Sequence, residues 1–214
     1  MNQLAVEKRA QVVAVLVEGN SIRATVRMTG VAKNTIIKLL ADLGRACAEY
    51  HDKVVRSIYA ENVQADEIWS FCYAKQNHLK PELRGEFGYG DVWTYTAIDS
   101  DSKLIISWYV GTKDAESTYG FISDLALRLD NRVQLTTDSF HKYLYAARDV
   151  FGDRVDYAML SKLYGKTHDY ECSGPERRYS PPGVVSLRKY TVCGMPDQSQ
   201  VSTSYVERQN LTMR

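Results

Sequence analysis

Apolar positions in the first third of the chain recur at intervals of three and four residues, the spacing of one helical face. A first helix is predicted over Ala5–Glu18, with an apolar face formed by Val6, Ala10, Val13, Leu16 and Val17. A second helix is predicted over Ile22–Thr29, where Ser21 is a suitable N-cap and Gly30 supplies a tight turn. A third helix begins at about Lys33 and carries a further apolar run, which comprises Ile36, Ile37, Leu39, Leu40 and Leu43.

The start of the third predicted helix is polar. Lys33, Asn34, Thr35 and Lys38 are of types that contact phosphates and base edges. Two short helices joined by a glycine turn are typical of the helix-turn-helix, whose second helix lies in the major groove of DNA. The pattern therefore predicts either an all-α helix-turn-helix domain that binds double-stranded DNA or a plain three-helix cap with a polar surface. A linker-like stretch predicts the domain boundary near residue 60, which leaves 61–214 as a second domain.

Beyond residue 60 the chain changes to runs of β-branched and aromatic residues, which are typical of strands. Four strands are predicted over Val63–Tyr73, Asp91–Ile98, Lys103–Val110 and Val133–Thr137, and a weaker fifth over Val155–Leu160. The turn-forming residues 99–102 predict a hairpin between the second and third strands. Helices are predicted over Ala115–Leu129 and Lys142–Phe151. The order β-β-β-α-β-α-β predicts an α/β domain with a mixed sheet, in the order used by ribonuclease H-like folds.

Two acidic residues lie where this order would bring them together. Asp66 lies within the first strand and Asp138 ends the fourth. These strands are neighbours in a ribonuclease H-like sheet, about 4.8 Å apart, so the two carboxylates can share a metal ion. Side chains alternate along a strand, so we expect only one of Asp66 and Glu67 to face the site. Two alternatives stay open: Asp66 faces water from an edge strand, and Asp138 caps the following helix.

Glu207 lies near the end of the chain, at a predicted helix start over Ser204–Asn210. One interpretation makes it a third acidic residue of the site. The other is a capping box, because Ser204 and Glu207 have the spacing in which a glutamate hydrogen-bonds back to the cap residue. The spacing alone does not decide between the two.

Charge is unevenly distributed, although the net charge is only +1. Residues 1–65 carry nine Lys/Arg against six Asp/Glu, and residues 161–195 carry six against three. Two basic flanks around an acidic middle are compatible with a DNA-contacting protein that has a carboxylate site. They are also compatible with an ordinary solvated surface.

Several classes of protein are not favoured by the sequence. No stretch approaches the roughly 20 apolar residues that span a bilayer, and the N-terminus lacks a signal-peptide pattern, so no membrane partner is expected. The four widely spaced cysteines do not form a disulfide framework, which favours a reducing cytoplasmic location. His168, Cys172 and Cys193 lack the paired spacing of a zinc site. The three tryptophans fall on strand patterns and are predicted to lie in the core rather than stack on bases: Trp69, Trp93 and Trp108.

Five segments resemble the transposases of insertion sequence one and its relatives: ADEIWSF, GDVWTYTAID, SWYVG, RVQLTTDSF and STSYVERQNLTMR. The resemblance runs from the helix-turn-helix to the last residue, and the final segment is the most specific. It implies a ribonuclease H-like core and a DDE triad that falls on Asp66, Asp138 and Glu207. It also implies metal-dependent cleavage and transfer of DNA strands at the terminal inverted repeats of the element.

The implied triad predicts the cofactor and partners. Three carboxylates favour Mg²⁺ or Mn²⁺, and two ions about 3.5–4 Å apart would clamp the scissile phosphate. We expect element ends and target DNA as substrates and a homo-oligomer on DNA. Arg208 and Arg214 either contact phosphates or are solvated helix charges. Proteins of this type continue with a longer basic helix, so the chain is predicted to be truncated and poorly active. A non-catalytic DNA-binding repressor and a nuclease of the same fold are the alternatives.

Overall fold

The computed structural model describes residues 4–164 and 184–213. The chain forms two compact units. One contains the described residues up to Arg56 together with those from Leu211 onward, and the other contains those within Ser57–Asn210. His168, Cys172 and Arg214 lie outside the described residues, so neither the zinc interpretation nor the expected phosphate contact of Arg214 can be placed.

Within its described residues, the first unit contains three complete helices: α1 Val6–Val17, α2 Ile22–Thr29 and α3 Lys33–Val54. The predicted cap and turn around α2 are confirmed. The Ser21 side chain accepts a hydrogen bond from the Ala24 backbone N–H at 3.1 Å. Gly30 ends the helix with φ of 71°, a left-handed conformation that glycine adopts without steric cost.

One residue from α1, one directly after the Gly30 turn and one from α3 form the core of this unit. Val12, Val31 and Ile36 are buried, and partly buried apolar residues pack around them: Leu4, Leu16, Ile22, Val26 and Leu39. The core is smaller than the apolar pattern predicts, because Ile37 and Leu40 of α3 are 41% and 44% exposed. Helix α3 also continues further than its apolar pattern suggests, because residues 41–54 contain no proline to stop it.

The described part of the second unit contains a six-stranded mixed sheet with the order β3-β2-β1-β4-β5-β6. The strands are β1 Asn62–Cys72, β2 Gly90–Asp99, β3 Ile105–Gly111, β4 Val133–Thr137, β5 Val155–Tyr164 and β6 Val184–Cys193. Its helices are α4 Ala115–Arg128, α5 His141–Phe151 and the part of α6 Ser204–Met213 that precedes Leu211. β1 is antiparallel to β2 and parallel to β4, and β4 is parallel to β5. This is the predicted ribonuclease H-like arrangement.

Strand β6 was not predicted from the sequence. It pairs antiparallel with β5 at the edge of the sheet, and its first eight residues are exposed. A strand that buries neither face carries no alternation of apolar and polar residues, so its sequence is indistinguishable from that of a basic loop. The same absence of a burial pattern explains why the strand predicted from the sequence ends at Leu160, whereas β5 continues to Tyr164.

A cluster of aromatic rings forms the core between the sheet and helices α4 and α5. Tyr95 of β2, Phe121 of α4 and Tyr143 of α5 are fully buried, with ring centroids 5.5–6.4 Å apart. The tryptophans do not join this core, which corrects the prediction from the sequence. Trp108 is 43% exposed, and Trp69 and Trp93 are only partly buried. Among the described residues, no helix is long and apolar enough to cross a bilayer.

Candidate functional site

The site forms where β1 and β4 part. Their pairing ends at Ala65 and Thr137, so Asp66 and Asp138 each follow the last paired residue of their strand. β1 lies between β2 and β4 in the sheet, which excludes the alternative that Asp66 faces water from an edge strand. The predicted strand order therefore brings these two acids together.

Three acidic residues meet at this point. Asp66, Glu67 and Asp138 each offer a carboxylate oxygen, and the three oxygens lie within 4.8 Å of one another. The expectation that only one of Asp66 and Glu67 would face the site is therefore wrong. The two side chains do leave opposite faces of β1, but Asp138 lies just beyond the end of β4. Because no strand separates the faces there, Asp138 is accessible from both sides.

Glu67 is the most buried member of the cluster, with 1% of its side chain exposed. The hydroxyl of Tyr143 donates a hydrogen bond to its Oε2 at 3.0 Å, and Lys113 forms an ion pair with its Oε1. Burial raises the pKa of the Glu67 carboxyl, and so does the charge of Asp138, while Lys113 and Tyr143 oppose the shift. A buried carboxylate without such partners would be strongly unfavourable.

Asp138 is held by the turn that precedes α5. Its Oδ1 accepts a hydrogen bond from the backbone N–H of Phe140 at 2.9 Å. Phe140 is itself the N-cap residue of α5 and makes no side-chain capping bond. The alternative that Asp138 is simply the cap of this helix is therefore not what the structure shows.

Glu207 lies in the first turn of α6. Its Oε1 accepts a hydrogen bond from the Thr203 hydroxyl at 2.5 Å and forms an ion pair with Lys162 of β5. The capping box is not formed, because the Ser204 backbone N–H donates instead to Ser202 Oγ at 3.2 Å. Glu207 lies outside the group of oxygens within 4.8 Å, yet its charge contributes to the raised pKa of Asp66.

Two side-chain amides and a hydroxyl connect α6 to the sheet, and these residues were not predicted from the sequence. Gln64 Oε1 accepts the backbone N–H groups of Tyr205 and Val206 at 2.9 and 3.3 Å. Asn210 Nδ2 donates to Asp66 Oδ2 at 2.9 Å, and its Oδ1 accepts from the Thr96 hydroxyl at 3.1 Å. The spacing carries a usable signal, since Gln64 and Asp66 share a strand face and Asn210 follows Glu207 by one helical turn.

The carboxylates shift one another's ionisation. The pKa of Asp66 is raised to about 7, chiefly by burial and further by the charges of Glu67, Asp138 and Glu207. A hydrogen bond from the Glu67 backbone opposes this shift. A positive ion beside Asp66 would favour its ionised form, so cation binding and proton release are coupled at this site.

The donor atoms of the cluster fit a hard divalent cation. Asp66, Glu67 and Asp138 supply only carboxylate oxygens, which suit Mg²⁺ or Mn²⁺ better than a soft metal. Lys113 and Lys162 balance part of the negative charge through Glu67 and Glu207. The sequence did not single out either lysine.

The candidate DNA-contacting residues are exposed wherever they are described. Lys33, Asn34, Thr35 and Lys38 lie on the exposed side of the first two turns of α3. Arg208 is exposed on α6, next to Glu207. Exposure is a requirement for contact with DNA, and each of these residues meets it.

Neither a protein-family model nor a curated protein sequence matches the chain. Solved structures with a similar chain trace include a Mos1 transposase paired-end complex with the left transposon end (14% identity, TM-score 0.32, 73% of this chain). A piggyBac transposase synaptic complex with hairpin DNA has 11% identity and a TM-score of 0.43 over 99% of this chain. Endonuclease V from Bacillus subtilis has 13% identity and a TM-score of 0.27 over 64%.

The chain spans 58–60% of the length of these three proteins. Identities and scores at this level assign no activity. The fold rests instead on the strand order and the register of β1 with β2 and β4.

Proposed function

We propose that the chain is a DDE transposase of the insertion sequence one type, which cleaves and transfers DNA strands at terminal inverted repeats. One observation carries the proposal: Asp66 and Asp138 meet at the end of the β1–β4 pairing, and α6, the helix that contains Glu207, is hydrogen-bonded to Asp66 through Asn210. These are the three positions that the resemblance to this family marks as its triad.

In this proposal, Asp66, Asp138 and Glu207 would hold Mg²⁺ or Mn²⁺, which would activate a nucleophile and stabilise the leaving oxygen of a phosphate. The raised pKa of Asp66, about 7, means that the residue would have to release its proton in order to act as a ligand. Glu207 would have to release its contact with Lys162. Gln64 and Asn210 keep α6 aligned with β1 while this occurs.

DNA recognition is proposed for residues 1–60, as a helix-turn-helix domain followed by a linker. Lys33, Asn34, Thr35 and Lys38 are exposed at the start of α3, the region that faces base edges in this motif. Arg208 of α6, and Arg214, are proposed to contact backbone phosphates near the site. The substrates are element ends and target DNA, held by a homo-oligomer.

A cleavage assay on DNA that contains an element end tests the proposal. In Mg²⁺, the parent chain is expected to cleave at the end, and Asp138→Asn is expected to abolish cleavage while leaving DNA binding nearly unchanged. Asp101→Asn is the matched control, because it removes the same charge from an exposed turn. Cleavage by Asp138→Asn at a rate comparable to the parent would remove Asp138 from the triad.

One observation favours a second candidate function, a DNA-binding protein that occupies element ends without cutting them. Glu207 lies outside the close carboxylate group and is engaged by Lys162 and Thr203. If that contact persists in Mg²⁺, the third ligand is missing. The same assay discriminates the two functions, since the second predicts specific binding of the end and no product in Mg²⁺ or Mn²⁺.

A further inference from the structure

A row of aromatic side chains leads away from the carboxylate cluster on the Glu67 face of the sheet. Trp69 and Trp93 are direct partners across β1 and β2, and Phe71 follows Trp69 on the same face. The Trp69 and Phe71 rings lie 5.7 Å apart. Phe71 is 46% exposed, and both tryptophans are partly exposed.

These rings are exposed because the β1–β2 hairpin extends past its neighbours. β4 pairs with β1 only as far as Ala65, and β3 pairs with β2 only from Trp93 onward. Large aromatic side chains on a solvent-facing sheet surface lose the favourable burial that they have in a core. Such a surface is characteristic of a binding site rather than of packing.

Two lysines accompany the rings. Lys75 Nζ lies 5.1 Å from the centre of the Trp69 ring, and Lys113 Nζ lies 4.3 Å from that of Trp93. Lys113 also pairs with Glu67, so the aromatic row is continuous with the carboxylate cluster. The nearby acid on this face, Asp91, is engaged by the Gln76 backbone N–H at 3.0 Å. We call Trp69, Phe71, Trp93, Lys75 and Lys113 the aromatic platform.

We propose that the aromatic platform stacks unpaired bases of the DNA strand whose phosphate lies at the carboxylate cluster. Aromatic rings bind bases of any sequence through their faces, and adjacent lysines attract the backbone. Paired bases within a duplex are already stacked and cannot reach these rings, so the occupant is single-stranded DNA. The inference rests on the proposed function only in placing a DNA strand at the carboxylates.

Fluorescence anisotropy with the full chain in EDTA tests the inference, using a labelled oligothymidine of about 15 nucleotides and a duplex of equal length. Trp69→Ala is expected to weaken oligothymidine binding about five-fold to a hundred-fold, the contribution of one stacked base. Trp69→Phe is expected to retain most of the affinity, and duplex binding is expected to change little.

Trp108→Ala is the matched control. Trp108 is also exposed, but it pairs with Thr96, which pairs with Asp66, and therefore lies on the opposite face of the sheet. Equal oligothymidine affinity of Trp69→Ala and parent overturns the inference, as does an equal loss in Trp108→Ala. Loss of self-association in Trp69→Ala without loss of oligothymidine binding also overturns it, since the platform would then bind protein. Because the assay contains neither metal nor an element end, its outcome is independent of whether the chain cleaves DNA.

Discussion

Asn210 donates a hydrogen bond from its side-chain amide to Oδ2 of Asp66 at 2.9 Å, across the space between α6 and β1. The amide oxygen is also used, since it accepts from the Thr96 hydroxyl at 3.1 Å. Both Asn210 and Thr96 are buried. The orientation of the Asn210 amide is therefore fixed from one side by Thr96, and the amide in turn fixes the Asp66 carboxylate.

Replacing Asn210 by leucine, which is similar in size but cannot donate, is expected to weaken Mn²⁺ binding about ten-fold to a hundred-fold. Changes to groups that orient a metal ligand typically have effects of this size. Isothermal titration calorimetry of the full chain measures the affinity directly. Asn77→Ala, which removes an exposed amide, is expected to leave it unchanged. Parent-like Mn²⁺ affinity in Asn210→Leu would show that the hydrogen bond does not position Asp66.

Removing Lys162 is expected to have the opposite effect on metal binding. Its ammonium group pairs with Glu207, so a divalent cation must displace it to use that carboxylate. Lys162→Met should therefore increase Mn²⁺ affinity roughly three-fold to ten-fold, as expected for loss of one nearby charge in a partly solvated site. Lys189→Met is the control. Lys189 lies on the neighbouring strand β6 and contacts the backbone oxygen of Gln198 rather than a carboxylate of the site. A weaker affinity in Lys162→Met would mean that the lysine supports the site.

The sequence predicts those parts of the fold that are buried on at least one face. The buried residues of α4 and α5 recur at helical spacing, and β1 and β4 contain short buried runs, so all four elements are predicted to within a few residues. The edge strand β6 is not predicted, because most of its residues are exposed and its apolar and polar residues therefore do not alternate. The strand pattern also predicts a core position for Trp108, which is exposed. Aromatic residues are common in strands whether or not another element packs over them, and Trp108 lies on the edge strand β3.

The candidate site was partly predictable for a related reason. Asp66 and Asp138 could be paired from strand order alone, because parallel neighbours bring corresponding ends together. The position of Glu67 in the same cluster could not be predicted. It depends on where the neighbouring strand β4 ends, and the alternation of side chains along β1 does not contain that information. Partners such as Asn210 and Lys162 depend on contacts between elements far apart in sequence, which periodicity does not encode.

The stability of the metal-free protein is expected to fall as pH rises from about 4 to about 7. The pKa of Asp66 rises from 3.8 to about 7 in the folded state, chiefly through burial. In this pH range the unfolded chain loses the Asp66 proton while the folded chain keeps it, so the folded state binds more protons and stability declines with pH. The raised pKa of Glu67 acts in the same direction.

Asp66→Asn should therefore be more stable than the parent at pH 8 in EDTA, by at most about 4 kcal/mol, the equivalent of roughly three pKa units. The difference should shrink towards pH 4, where Asp66 is protonated in the parent. Urea unfolding at both pH values measures it. An advantage for Asp66→Asn that is equally large at pH 4 would rule out the ionisation of Asp66 as its cause.

The hydroxyl of Tyr143 is a hydrogen-bond partner of the buried Glu67 carboxylate. Removing this hydroxyl should measurably lower the free energy of unfolding. Tyr143 is fully buried and donates to Glu67 Oε2 at 3.0 Å. Tyr143→Phe retains the ring contacts with Tyr95 and Phe121 but leaves that oxygen without its donor. Such a loss typically costs about 1–3 kcal/mol in the free energy of unfolding.

Tyr145→Phe provides the matched comparison, since Tyr145 lies on the same helix but is 58% exposed. Its hydroxyl is hydrated in both folded and unfolded states, so removal should change stability by less than about 0.5 kcal/mol. Urea denaturation at pH 8, where Glu67 is most ionised, gives the largest contrast between the two variants. Because charge on Glu67 strengthens the lost hydrogen bond, the deficit of Tyr143→Phe should decrease as Glu67 is protonated at lower pH. A deficit independent of pH would instead assign it to packing of the ring.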